Sequence, residues 1–182
     1  MKNKIVYKNK WFSIKKFENY FVFDENQDQV VILPIINSKK IILVKQYRVP
    51  LMKFTLEFPA GGFNKNSEKP KIAAIRELFE ETGISISQTK RLKQLKRMSV
   101  NPQRHSKIPY AYYVNITESE YKIRSKKISK EIKAVISLDF NKFIDFYQKG
   151  LIISSFMGNI FFNYLLLKKK IILKNINTNE KK

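Results

Sequence analysis

Residues Gly62–Ile84 read GFNKNSEKPKIAAIRELFEETGI, and the rest of the chain is best understood from this stretch. Its residue types predict a polar loop followed by a helix, with Pro70 in the first helical turn and Thr82-Gly83 as the stop. Ile72, Ala73, Ile75, Leu78 and Phe79 are expected to form the core side of that helix. Glu77, Glu80 and Glu81 stand at i, i+3 and i+4, within about 100° of arc. On a free helix such carboxylates repel one another by roughly a few tenths of a kcal/mol per pair. A divalent cation that prefers oxygen ligands is the natural group to reverse that repulsion. Arg76 sits among the glutamates, and its planar, permanently charged fork can hold Glu68 or Glu77 in fixed rotamers.

The same stretch carries a recognisable pattern. Gly62, five residues, Glu68, seven residues, Arg76-Glu77-Leu78, one residue, Glu80-Glu81, one residue and Gly83-Ile84 resembles the Nudix box at each of its fixed positions. Upstream, Gln46-Tyr47-Arg48 and Glu57-Phe58-Pro59-Ala60-Gly61 resemble segments typical of the ADP-ribose pyrophosphatase branch of that superfamily. The resemblance implies an α/β (α+β) fold, a mixed β-sheet sandwiched between helices and preceded by an N-terminal antiparallel strand region. It also implies Mg²⁺, with Mn²⁺ as a substitute, held by Glu77, Glu80, Glu81 and the Ala60 carbonyl, with Arg76 and Glu68 supporting the glutamates.

The implied reaction is hydrolysis of the pyrophosphate bond of a nucleoside diphosphate joined to another group, ADP-ribose or a related sugar first. The products are a nucleoside monophosphate and a sugar phosphate. In the resembling enzymes a late-loop glutamate activates water; Glu131 is the best-placed candidate, completing a catalytic set with Arg76, Glu77, Glu80 and Glu81. The lysines around Glu131 would make it a weaker base, and Glu118 and Glu120 stand as substitutes. Arg48, Glu57 and Trp11 are the candidate substrate-binding residues. Each has a plainer alternative: a surface cation for Arg48, a structural partner for Glu57 and a core aromatic for Trp11. The resembling enzymes also imply a homodimer in which the N-terminal strands join the interface.

Composition bounds these expectations. With 182 residues and 43% hydrophobic content, the chain can bury a real core in one domain with a small appendage. The expected division is an N-terminal strand region over 1–45, the hydrolase domain over 46–170 and a basic tail over 171–182. The absence of cysteine excludes disulfides and thiolate metal sites, and MKNKIVYKNK lacks the apolar run of a signal peptide, so a cytoplasmic setting is expected. Thirty-six Lys+Arg against fifteen Asp+Glu give a net charge of +21. The lysines are scattered over all segments, so a generally basic exterior is favoured over a dedicated nucleic-acid surface. Four of the fifteen acidic residues lie between Glu68 and Glu81, which sets the cluster apart.

Elsewhere, loose alternation over 5–23 predicts short strands, and Val30–Ile36 with Ile41–Val44 predicts an antiparallel hairpin, with an edge or bulge at Pro34. Leu92–Val100 and Ile108–Val114 are expected as strands, Tyr121–Lys130 as a basic loop, Glu131–Ser137 as a strand and Asp139 as the start of a helix ending at Gly150. Residues 85–110 hold seven Lys/Arg and no acid, a candidate phosphate-facing rim. His105 stands alone in a loop, away from any ligand spacing. The apolar run 151–167 contains Ser154, Ser155, Asn159 and Asn163, which favours a core helix over a membrane span. Two rival functions follow from the same residues: a Nudix enzyme acting on RNA caps or dinucleoside polyphosphates, and a non-catalytic nucleotide- or RNA-binding module.

Overall fold

In the computed structural model, residues 3–168 are described. The basic tail expected over 171–182 lies outside the described residues. β1 (Lys4–Lys8), β2 (Phe12–Phe17) and β3 (Tyr20–Glu25) form an antiparallel three-stranded sheet. β4 (Asp28–Ile36) and β5 (Lys40–Arg48) belong instead to a seven-stranded sheet, so the described part of the N-terminal region, residues 3–45, is shared between two sheets.

The β4–β5 hairpin closes through Asn37 and Ser38 at positive φ (47° and 58°), and the two strands then part after Ile35↔Ile41. β6 (Lys53–Glu57) pairs with β5, and β7 (Ala60–Phe63) pairs with β4, so Phe58-Pro59 spans the fork between them. Phe58 plugs the fork, almost fully buried and stacked on Phe143 at 5.8 Å. The edge or bulge expected at Pro34 turns out to be this fork. The Ile32 N–H donates to the Pro59 carbonyl at 2.9 Å. Strand alternation points the Pro34 nitrogen to the same side, where it needs no acceptor.

The remaining strands are β8 (Lys93–Gln94), β9 (Tyr110–Ile116) and β10 (Ile132–Asp139), giving the order β10-β5-β4-β9-β8 with β4 and β9 parallel. The helices are α1 (Pro70–Thr82), α2 (Glu118–Lys122), α3 (Phe140–Gln148) and α4 (Ser155–Leu167). Both faces of β4 are covered: Val30, Ile32 and Ile36 pack with Ala73, Ala74 and Leu78 of α1. Val31, Leu33 and Ile35 pack with Phe143 of α3 and with Ile160, Phe161 and Tyr164 of α4. A strand buried on both faces reads as one continuous apolar run, as this one does. The expected architecture, a mixed sheet between helices, is the one observed. α4 accounts for the apolar run over 151–167, and among the described residues no helix is long and apolar enough to cross a membrane.

Three local expectations change. The strand expected over Leu92–Val100 is only β8; after the Leu95 N–H bonds the Ala111 carbonyl at 2.9 Å, Arg97 is held by the Ile108 carbonyl and the Tyr110 ring. The basic loop expected from Tyr121 begins inside α2, which a reciprocal capping box between Thr117 and Glu120 initiates. The 101–107 loop is a clamp on the small sheet: Phe23 N–H donates to the Arg104 carbonyl at 2.7 Å, and the His105 ring lies 5.2 Å from that of Phe23.

Candidate active site

α1 starts at Pro70 and ends at Gly83, whose φ of 74° is the left-handed value a helix stop calls for. A side chain there would also strike the backbone of Ser125. The face the helix turns inward differs from the apolar face expected. Ala73, Ala74, Glu77, Leu78 and Thr82 are buried, whereas Ile72 and Phe79 are 48% and 44% exposed. At 100° per residue, Glu77 and Glu81 share the buried arc with Ala74, and Ile72 and Phe79 fall on the opposite side. The helix therefore presents carboxylates to the sheet and leaves two bulky apolar side chains in water.

What the carboxylates meet is the turn at the fork. The Ala60 N–H donates to Glu81 Oε2 at 3.0 Å. Because Ile32 and Pro59 form a hydrogen-bonded register, Val31↔Ala60 is a non-bonded pair, and the Ala60 N–H and carbonyl both point away from β4 toward Glu81. Gly61 lies against Glu77: a Cβ at 61 would overlap the whole Glu77 carboxylate, while one at 62 would meet only the side chain of Gln27. Neither glycine has positive φ. At Gly61 the requirement is space rather than an unusual backbone conformation.

Arg76 organises the rest. Its Nε and Nη2 reach both oxygens of Glu68 at 3.1 and 3.0 Å, Nη1 reaches Glu77 at 2.6 Å and Glu80 at 3.1 Å, and Nη2 also reaches the Gly62 carbonyl at 3.1 Å. Glu80 is half exposed, Glu77 nearly enclosed. Burial pushes the Glu77 carboxyl above its ordinary value despite Arg76, and burial pushes Glu81 up to about 8, against the Ala60 hydrogen bond. As these side chains stand, no three acidic groups among the described residues converge closely enough to hold a metal ion; Arg76 bonds Glu77 and Glu80, and the Ala60 N–H bonds Glu81. The donor chemistry still suits a hard cation: every group is an oxygen, and a buried carboxyl with a raised pKa is one that a divalent charge would relieve.

On the other branch of the fork, Arg48 and Glu57 form a two-pronged pair, Nε to Oε1 at 2.8 Å and Nη2 to Oε2 at 2.5 Å. Gln46 and Thr55 also donate to Glu57, at 3.2 and 2.6 Å. Burial raises the Glu57 carboxyl, but these bonds and the Arg48 charge hold it below the usual value. The Glu57 bonds hold the Arg48 guanidinium above its ordinary value, with smaller contributions from Glu81 and Glu131. The late loop is pinned to the end of α1: Ser125 N–H donates to the Gly83 carbonyl at 3.0 Å and Ser129 N–H to the Glu80 carbonyl at 2.7 Å. Glu131 then lines a cleft of about 870 Å³ with Arg48, Tyr47, Phe54, Lys130 and Lys133.

Trp11 is 63% exposed, so it is no core aromatic; with Phe12, Phe23 and Gly62 it edges a smaller cleft of about 220 Å³. Glu120 is fully engaged by Arg91, at 2.5 and 3.0 Å, and by its capping role. Much of the expected basic rim is likewise committed to structure: Arg91 to Glu120, Arg97 to Ile108, Arg104 to Phe21 and Lys107 to Asp28. The Gln46–Thr55 clamp on Glu57 and the fit of Gly61 to Glu77 were not anticipated. The first joins Gln46 of β5 to Thr55 and Glu57 of β6 across a strand pair and the second joins β7 to α1, contacts that a local pattern does not mark; only the Thr117-x-x-Glu120 capping pattern left a local signal.

The fold and site together define an α/β domain in which an acidic helix is packed against the glycine turn of a forked sheet. The family model described as NUDIX domain matches residues 25–150, and the chain belongs to that family. Over 119 residues it is 34% identical to a methanol dehydrogenase activator of Bacillus methanolicus, covering 65% of this chain and 56% of that protein. It is 44% identical over 63 residues to an ADP-sugar pyrophosphatase of Mus musculus, 32% of this chain and 28% of that one. It is 48% identical over 54 residues to an ADP-ribose pyrophosphatase of Bacillus subtilis, 30% and 29% of the respective chains. The chain thus spans about half the length of the first of these relatives and under a third of the other two.

Proposed function

We propose that the protein hydrolyses the pyrophosphate bond of a nucleoside diphosphate linked to a second group, ADP-ribose or a related nucleotide sugar, with Mg²⁺ or Mn²⁺ as cofactor. One observation carries the reading. α1 buries Glu77 and leaves Glu81 only partly exposed, both against the Ala60-Gly61 turn, while exposing Ile72 and Phe79, an arrangement that costs stability and makes sense as a cation site. Names of the pyrophosphatase relatives support the substrate class.

Glu77, Glu80, Glu81 and the Ala60 carbonyl would hold the metal, which when bound neutralises the diphosphate and polarises its phosphorus. Arg76 and Glu68 keep the glutamates oriented, since one fork engages three carboxylates. Arg48, fixed by Glu57, adds positive charge where negative charge develops on the phosphoryl oxygens. Glu131, in the same cleft, takes the proton of the attacking water. Trp11, exposed at the Gly62 cleft, stacks on the base. Exposed Ile5, Val6, Tyr7, Tyr20 and Phe21 on the small sheet support a homodimer built through that region. A chain without cysteine suits the cytoplasm.

Lys130 and Lys133 beside Arg48 favour one second reading, a leaving group with additional phosphates such as a cap or dinucleoside polyphosphate. Comparing turnover of ADP-ribose and capped RNA separates the two. Glu81→Gln keeps the volume and removes the charge. It should lower kcat by about a hundredfold or more at saturating Mg²⁺, and full turnover by that variant would overturn the proposal.

A further inference from the structure

At the opposite edge of the large sheet from β10, a second cleft of about 480 Å³ is lined by Lys90, Arg91, Lys93, Tyr113, Asn115 and Lys168. It shares no residue with the clefts at Arg48 or Trp11. Tyr113 and Asn115, two residues apart on β9, belong to one face of the strand and form its floor. The turn before β8 supplies Lys90 and Arg91, β8 supplies Lys93, and the residue after α4 supplies Lys168.

Two of the four cations are fixed. Arg91 is tied to Glu120 and donates to the Asn115 carbonyl at 2.7 Å, so it is a wall of the cleft. Lys168 lies over the Tyr113 ring at 4.9 Å, and Tyr113 is only 6% exposed. Lys90 and Lys93 have no ion-pair partner among the described residues. No lining residue is acidic. Lysines do guard exposed edge strands, which accounts for Lys93 on β8. That role does not account for Lys90 and Lys168, which come from other elements and converge on the same concavity.

We propose that this cleft is an anion site for a phosphate group, separate from the glutamate cluster. Its size falls within the roughly 300–1,000 Å³ of small-molecule sites. Several ammonium groups held together without counter-charge favour a multiply charged anion over a carboxylate. The phosphate belongs to a small phosphorylated molecule or to an acidic lipid headgroup, two sources of one chemistry.

The test titrates the full chain, in EDTA and at constant ionic strength, with inorganic phosphate, pyrophosphate and adenosine monophosphate by calorimetry. Vesicles of phosphatidylcholine with and without phosphatidylglycerol form a parallel arm. Lys90 and Lys93 are exposed, so Lys90→Ala/Lys93→Ala should fold normally. It should weaken binding of the best probe by about tenfold or more while Mg²⁺-dependent hydrolysis is unchanged. Vesicle binding lost in this variant, with weak binding of free phosphate, assigns the site to a headgroup. Lys4→Ala/Lys8→Ala removes the same charge from β1. An equal loss in that control, or unchanged affinity in Lys90→Ala/Lys93→Ala, overturns the proposal. Loss only in Arg48→Ala would place the bound phosphate at the glutamate cluster and overturn it equally.

Discussion

Gly61 and Gly62 are neighbours with ordinary φ, and replacing each by alanine should give sharply different proteins. At 61 the new Cβ falls on Cδ and both oxygens of Glu77, whose side chain is 10% exposed and bonded to Arg76 at 2.6 Å. The carboxylate must retreat by roughly 1 Å, and displacements of that order cost about a hundredfold in rate when they disturb reacting groups. Overpacking costs about 1–3 kcal/mol, offset by about 0.4–1 kcal/mol from the stiffer unfolded chain. The expected net loss is thus about 1–2 kcal/mol, or a Tm lower by roughly 2–8 °C. At 62 the Cβ meets the movable end of Gln27, so stability should change by less than about 1 kcal/mol. Urea unfolding gives the stability term, and kcat at saturating Mg²⁺ gives the positioning term. If Gly61→Ala matched the native protein in both, or Gly62→Ala were the more damaged, the packing of the turn against Glu77 would be misread.

Other outcomes follow from the same geometry. Glu81 has its folded pKa raised by burial to about 8, so in EDTA its contribution is fully present below about pH 4.5 and lost as pH rises through about 8. Stability of Glu81→Gln should lack that decline, as denaturation at pH 5, 7 and 9 would show. Glu120 has the opposite sign: Arg91 holds it down to about 2, so its contribution is present above about pH 4.5 and lost toward pH 2. Arg91→Ala should cost about 1 kcal/mol at pH 7 and flatten the acid limb; an unchanged limb would sink the pairing. Arg48→Lys keeps the charge but loses the fork on Glu57, so kcat/KM should fall by about tenfold or more with little change in Tm. Native kcat/KM in that variant would show that charge alone suffices.

Much of the domain was readable in the chain because its signals are local. Pro70 and Gly83 bracket α1 by the conformations their rings and hydrogens permit, and the apolar run of β4 announces a strand buried on at least one face, of which the structure covers both. The box spacing placed Arg76 among the glutamates with Glu68 or Glu77 as its expected partner, and the hydrogen bonds reach both of these and Glu80 as well. The inward face of α1 was not readable. Apolar content points to Ile72 and Phe79, and only the turn at Ala60-Gly61, brought opposite by the fork of β4 and β5, selects the carboxylate arc instead. The same holds for Glu120, which Arg91 engages from 29 residues away in the chain.

By itself, then, the order of residues determined the β4–β5 hairpin and the helices α1, α3 and α4, where α1 begins and ends, and which acids share a side of it, since these depend on backbone preference and helical period. Tertiary structure decided which of those acids lose water, which cations are already spent on neighbours and which remain free. Burial and charge pairing are set by groups brought together from distant parts of the chain, and no local pattern encodes them.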